Sequence, residues 1–186
     1  MTRLIIFGGL PGTGKTSIAR ELARRIHATY VRIDSIEDEL RNAIVVPLPL
    51  DDVGYRIAYA VALDNLKLGR TVVADSVNPI SLTREAWVNV AKMAHVQHLE
   101  IEIICSDAAE HRRRVESRVS DIPGFRLPAW ADVLAREYHP WARQHVVIDT
   151  ASCNVEQCVK SIQEILQKTL EEEPGSPTEA NDHHRN

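Results

Sequence analysis

The segment GGLPGTGKT (residues 8–16) decides the fold of this chain. It follows the apolar run RLIIF, which predicts a short buried strand over residues 4–7. It precedes SIARELARRI, whose apolar side chains at helical spacing predict a helix over residues 16–26. A strand and a helix can be joined with far less glycine, so we expect the loop itself to have a function.

Eight residues of this loop match the complete pattern G-x-x-x-x-G-K-[ST] of a phosphate-binding loop. Glycines let successive backbone N–H groups converge on phosphate oxygens, and the following helix adds its positive N-terminal end. We predict that Lys15 reaches the β- and γ-phosphates of a nucleoside triphosphate and that the Thr16 hydroxyl binds Mg²⁺. The predicted nucleotide-binding residues of this loop are Gly9, Leu10, Pro11, Gly12, Thr13, Gly14, Lys15, Thr16 and Ser17.

Apolar runs and amphipathic segments alternate along the rest of the chain. Further strands are predicted over residues 29–34, 70–75, 99–105 and 145–150. Helices are predicted from Ser35, with Asp38 in a capping-box-like position, and over 54–69, 83–95, 107–118, 129–138 and 155–170. This alternation predicts the α/β class, in a three-layer P-loop NTPase fold with a five-stranded parallel sheet, helices on both faces and a short lid. We expect one domain over residues 1–170 and a disordered acidic tail over 171–186.

Composition narrows the functional classes. A chain of 186 residues suits one domain, and its net charge of −4 disfavours a protein that holds long nucleic acid. No apolar stretch reaches the ~20 residues that span a bilayer, and the early first strand leaves no room for a signal peptide. We read the three cysteines as reduced thiols, and we expect a cytoplasmic protein without a membrane partner.

Aspartates follow two of the predicted strands. Asp34 ends the second and Asp75 ends the third, so both are expected to face the crevice of the phosphate loop. For Asp34 we predict a general base that accepts the proton of an attacking hydroxyl group, with helix capping as the alternative. For Asp75 we predict Mg²⁺ binding, direct or through water, with helix capping or acceptor binding as alternatives.

The segment EHRRRVESR carries Arg114 and Arg118 one helical turn apart, before the loop SDIPGFRLP. Arginines stabilise the charge that develops on a transferred phosphoryl group. We therefore predict that both arginines bind the nucleotide and act in catalysis, on a lid over about residues 112–128. The alternative is a solvated basic face that pairs with Glu110 and Glu116.

The chain around the third strand is expected to line the site of a second substrate. The predicted acceptor-binding residues are Tyr55, Asn78 and Arg84, together with Asp34 and Asp75. Asn78 precedes a proline and is also typical of a turn. For Arg84, closing over the nucleotide and pairing at the surface are equal alternatives.

Taken together, these residues resemble the AAA-type P-loop kinase-like ATP-binding family of small-molecule and polynucleotide 5′-hydroxyl kinases. Chloramphenicol phosphotransferase, the zeta toxins, gluconate kinase and adenylylsulfate kinase are relatives in that group. The resemblance covers about residues 2–170 and rests on GLPGTGKT, RIDSIEDELR, GRTVVADSVNP, HRRRVESR and VVIDTA. It implies ATP as the nucleotide, an acid after strand two as the base, matching Asp34, and lid arginines, matching Arg114 and Arg118.

The sequence thus predicts an ATP- and Mg²⁺-dependent kinase that phosphorylates a hydroxyl group of a small molecule. The alternatives are a polynucleotide 5′-hydroxyl kinase and a nucleotide-binding switch ATPase without such an acceptor. Polynucleotide kinases of this type carry D-x-x-R after strand two, where this chain has Glu37 in place of the arginine. That difference disfavours an acceptor that bears a phosphate.

Overall fold

A parallel five-stranded β-sheet, in the order β2-β3-β1-β4-β5, forms the centre of the computed structural model, which describes residues 1–43 and 52–171. The strands are β1 (Arg3–Gly8), β2 (Thr29–Arg32), β3 (Val72–Asp75), β4 (Gln97–Ile104) and β5 (Val146–Asp149). The helices are α1 (Lys15–Arg25), α2 (Ile33–Ala43), α3 (Val53–Lys67), α4 (Ser81–Met93), α5 (Ala108–Ser117), α6 (Trp130–Ala135) and α7 (Val155–Glu171). The predicted α/β class and parallel five-stranded sheet are confirmed.

Apolar residues of the central strand β1 alternate between two cores on opposite faces of the sheet. Leu4 and Ile6 pack with α3 and α4, whereas Ile5 and Phe7 pack with α1 and α7. All four side chains are fully buried. Successive side chains of a strand point to opposite faces, so a strand covered by helices on both sides reads as a continuous apolar run.

Strand register brings three chain segments to one edge of the sheet. Phe7 near the end of β1 pairs with Asp75 of β3, and Arg32 of β2 pairs with Asp75 from the other side. The loop after β1, the start of α2 and the loop after β3 therefore leave the sheet side by side. This is the edge at which ligands bind in open parallel sheets.

The second strand is shorter than the sequence predicts. It ends at Arg32, and α2 begins at Ile33, so Asp34 lies in the first helical turn and Ser35 is not the N-cap. Ile33 is 3% exposed and packs in the core with α3 and α4, which anchors the start of the helix. A carboxylate in the first turn is favourable because it faces the positive end of the helix dipole.

The region of the predicted lid begins in α5 and continues through residues 118–129, which form neither helix nor strand. Asp107 caps α5 by accepting hydrogen bonds from the backbone N–H groups of Ala109 and Glu110. Residues 47–50 (PLPL), whose prolines predict a break in the chain, lie outside the described residues. Nearly all of the predicted tail also lies outside them, except Glu171, which ends α7. Within residues 1–43 and 52–171, none of the helices combines the length and apolarity that crossing a membrane requires.

Candidate active site

The loop between β1 and α1 adopts a backbone conformation that favours glycine. Gly12 and Gly14 have φ angles of 89° and 90°, in the left-handed region. A Cβ atom at Gly12 would also overlap the side chain of Val115 on α5. The helix begins at Lys15 directly after the loop, and the first N–H groups of a helix have no partner within it. The segment therefore presents backbone donors suited to a phosphate group.

Lys15 pairs with the buried carboxylate of Asp75. Its Nζ lies 2.5 Å from Oδ1 of Asp75, and the Tyr30 hydroxyl donates to Oδ2 at 2.6 Å. Burial alone would raise the pKa of Asp75, but the charge of Lys15 and hydrogen bonds from Lys15, Tyr30 and Thr16 hold that pKa below its usual value. Asp75 is thus an ionised carboxylate next to the Thr16 hydroxyl, and these oxygen donors fit Mg²⁺, which takes one or two carboxylates together with phosphate oxygens.

Arg114 is held by the loop that follows β5. Its guanidinium donates to the hydroxyl and the carbonyl oxygen of Thr150, both at 2.9 Å, and to the carboxylate of Glu110 at 2.8 Å. The Thr150 hydroxyl in turn donates to the carbonyl of Thr13 at 2.8 Å. One buried threonine therefore connects this arginine to the phosphate loop.

Arg118 has buried N–H groups without hydrogen-bond partners. Its Nε and Nη2 atoms are both in this state. Burial lowers the pKa of its guanidinium, while the negative charge of Asp34 opposes that shift. A buried donor without a partner costs about 1–3 kcal/mol, so this side chain is suited to an anionic ligand.

Asp34 and Tyr55 are contributed by α2 and α3. The Asp34 side chain is 35% exposed, and one of its oxygens lies 3.9 Å from Nη2 of Arg32. The Tyr55 hydroxyl accepts a hydrogen bond from the backbone N–H of Asn78 at 3.2 Å. Burial raises the pKa of Tyr55 to about 12, so its hydroxyl keeps its proton at neutral pH and remains a donor.

A cavity of about 1430 Å³ collects most of the predicted site residues. Those that line it are Leu10, Pro11, Gly12, Gly14, Lys15, Thr16, Ser17, Asp34, Tyr55, Arg114 and Arg118. Gly9, Thr13 and Asp75 are buried beneath this surface. Pockets for one small molecule hold about 300–1,000 Å³, so this cavity has room for a nucleotide and a second ligand.

Besides Asp75, two residues predicted to bind the acceptor do not line the cavity. Asn78 is fully buried, and its side-chain amide donates to a backbone carbonyl of β1 at 2.7 Å. Arg84 is 3% exposed and donates to four backbone carbonyl groups, two in residues 78–79 and two in residues 139–140. Its guanidinium also lies 4.3 Å from the ring centroid of Trp141. These contacts join two loops, so the geometry gives both residues a structural role.

An ion-pair cluster that was not predicted from the sequence joins the lid region to β2 and α1. Asp121 accepts two hydrogen bonds from Arg32, at 2.9 and 3.1 Å, and another from Arg20. Hydrogen bonds from Arg32 and Arg20 hold the pKa of Asp121 well below its usual value. Arg32 could have been predicted from the sequence as a site residue, because it ends β2 at the ligand-binding edge. Tyr30 and Thr150 were also not predicted, and no sequence pattern indicates them, because their polar contacts come from distant segments.

The glycine-dependent loop, the paired lysine and aspartate, and the parallel sheet define a P-loop protein that binds a nucleoside triphosphate. A family model described as an AAA domain matches residues 4–136, and the chain belongs to this family. None of the curated proteins matches the chain in sequence.

Solved structures, among them an APS kinase and a gluconokinase, are similar to this chain in fold. APS kinase CysC from Mycobacterium tuberculosis, in complex with AMPPNP and APS, is 15% identical over 89% of this chain and 98% of that chain, with a TM-score of 0.69. A gluconokinase from Sinorhizobium meliloti is 16% identical over 90% and 93%, with a TM-score of 0.60. Kti12 from Chaetomium thermophilum, in complex with ADP-AlF3, is 23% identical over 87% and 97%, with a TM-score of 0.62. These likenesses confirm the predicted P-loop fold.

Proposed function

We propose that this protein is an ATP-dependent kinase that transfers the γ-phosphate of ATP to a hydroxyl group of a small molecule. The main support is the cavity, which has room for two ligands and is lined by two chemically different sets of residues. One set comprises the phosphate loop with Arg114 and Arg118, and the other comprises Asp34 and Tyr55.

On the nucleotide side, Lys15 would neutralise the β- and γ-phosphates once ATP replaces Asp75 as its main partner. Arg118, with its unpaired donors, and Arg114 would bind the charge that develops on the transferred group. Thr16 would hold Mg²⁺, with Asp75 acting directly or through water. When bound, Mg²⁺ neutralises part of the negative charge of the phosphates.

On the acceptor side, Asp34 would accept the proton of the attacking hydroxyl group, and Tyr55 would donate a hydrogen bond to the acceptor. Glu37 stands where polynucleotide kinases carry an arginine, and it pairs with Arg41 at 3.0 Å. This position therefore offers no free cation to an acceptor phosphate, which supports a small molecule over a polynucleotide.

The test is transfer of label from γ-labelled ATP, with Mg²⁺, to a metabolite extract, a panel of hydroxyl-bearing sugars and antibiotics, and a 5′-hydroxyl oligonucleotide. We expect label in a small molecule and a loss of roughly 10²–10⁴-fold in turnover for Asp34→Asn, with ATP binding unchanged. Asp64→Asn is the matched control, because it removes the same charge from an exposed site on α3 outside the cavity.

Two outcomes would contradict the proposal. Label in the oligonucleotide alone would identify a polynucleotide 5′-hydroxyl kinase. Label in free phosphate alone, at equal rates in the wild-type protein and Asp34→Asn, would identify a switch ATPase without an acceptor.

A further inference from the structure

Two of the three cysteines lie side by side where the β5–α7 connection enters α7. The Sγ atoms of Cys153 and Cys158 are 2.6 Å apart. This is only about half an ångström longer than the ~2.05 Å sulfur–sulfur bond of a disulfide. The third thiol, Cys105, donates instead to the carbonyl of Asp107 at 3.5 Å. The native fold therefore already holds one pair of sulfur atoms close to bonding distance.

We propose that Cys153 and Cys158 are a reversible oxidation site that forms an intramolecular disulfide with a small-molecule disulfide, such as oxidised glutathione, as the oxidant. The reaction oxidises two protein thiols by two electrons and reduces one small disulfide to two thiols. The two protons of the protein thiols pass to the two thiols that leave.

Exposure decides which sulfur reacts first. Cys153 is partly exposed, whereas Cys158 is 1% exposed and packs in the core between the sheet and α7. Burial raises the pKa of the Cys158 thiol to about 12, which keeps it protonated and unreactive toward an external reagent. Cys153 therefore attacks the small disulfide, which breaks its sulfur–sulfur bond, releases one thiol and leaves a mixed disulfide on Cys153. Cys158 then gives up its proton, attacks the Cys153 sulfur and releases the second thiol.

The disulfide changes a loop that contacts the nucleotide site. In the reduced protein the Cys153 thiol donates to the carbonyl of Asp149 at 2.9 Å, and a disulfide has no S–H group to donate. The residue after Asp149 is Thr150, which holds both Arg114 and the Thr13 carbonyl of the phosphate loop. We therefore expect oxidation to disturb these contacts and to weaken nucleotide binding.

The first test is the mass of tryptic peptides from the full chain after incubation with oxidised glutathione. Residues 144–160 form one peptide that contains both cysteines, and Cys105 falls in another. We expect the 144–160 peptide to lose two hydrogens and to regain them with a reductant. In Cys158→Ser the same peptide is expected to carry one glutathione on Cys153. Two free thiols, or a stable glutathione adduct in the unsubstituted protein, would overturn the proposal.

The second test is the affinity for a non-hydrolysable ATP analogue, so neither test depends on the transferase reaction. We expect a several-fold weaker affinity in the oxidised protein, restored by the reductant. Cys153→Ser is the matched control, because its hydroxyl keeps a donor for Asp149 and forms no disulfide, so its affinity should not respond to the oxidant. Equal affinities of the oxidised and reduced protein would overturn the proposed effect on the nucleotide site.

Discussion

Replacement of Lys15 by methionine tests the ion pair beneath the phosphate loop. The side chains of Lys15 and Asp75 are only 8% and 1% exposed, so solvent screens the pair weakly. Methionine keeps the length of the side chain but leaves the Asp75 carboxylate without a cation. Removing one partner of a buried pair costs about 3–5 kcal/mol. Asp75 retains its hydrogen bond from Tyr30, so we expect the lower end, about 3 kcal/mol.

Thermal unfolding without nucleotide measures this loss. In a chain of this length, 1 kcal/mol shifts the midpoint by about 2–4 °C, so Lys15→Met is expected to unfold about 6–12 °C below the wild-type protein. The double variant Lys15→Met/Asp75→Asn removes the uncompensated charge and is expected to recover most of the shift. Asp75→Asn alone is expected to cost about 1–3 kcal/mol, because Lys15 lines the cavity and is able to reach water.

Two results would refute this reasoning. An unchanged midpoint for Lys15→Met would mean that the free protein does not hold the pair. Equal midpoints for Lys15→Met and the double variant would mean that the loss comes from packing of the lysine side chain, not from the charge left on Asp75.

Two further predictions concern the lid region and the loop. Hydrogen bonds from Arg32 and Arg20 depress the pKa of Asp121 below its ordinary value of 3.8. The ionised carboxylate therefore stabilises the folded protein fully above pH 3.8, and this stabilisation is lost as pH falls through the depressed pKa. The protection factors of residues 118–129 against hydrogen exchange should therefore fall at low pH, and Asp121→Asn should show low protection factors already at pH 7; equal protection factors in both proteins at pH 7 would contradict this. Gly12→Ala should cost about 1–3 kcal/mol and weaken ATP binding, because its φ angle is strained for alanine and the added methyl meets Val115. Calorimetry should show ATP binding unchanged in the control Gly69→Ala, which has a φ angle of 78° but only an ordinary contact, 3.9 Å from Thr2, and lies outside the cavity.

Local patterns predicted most of the fold. The apolar run of β1 and the glycine-rich loop after it lie within residues 3–14 and need no distant partner to be recognised. The boundary of α2 was predicted two residues late, because Asp34 and Ser35 look like a strand end and a cap. Burial of Ile33 against a core built from distant helices decided that helix α2 begins earlier.

The arginines show where sequence patterns stop being informative. Arg84 and Arg118 were both predicted to bind ligands, yet Arg84 joins two loops through backbone carbonyls, whereas Arg118 lines the cavity with unpaired donors. The residues next to these two arginines in sequence do not indicate which of them lines the cavity. The partners of Arg84 at residues 139–140 are more than 50 positions away along the chain.

The sequence by itself determined the phosphate loop, the α/β class and the order of alternating strands and helices, because each depends on residues that are neighbours in the chain. Only the tertiary structure decided that Lys15 rests on Asp75, that Thr150 holds Arg114, and that two cysteines meet. The contacts of a side chain depend on which elements pack next to its own. The parallel sheet brings such elements together from segments that are far apart in sequence.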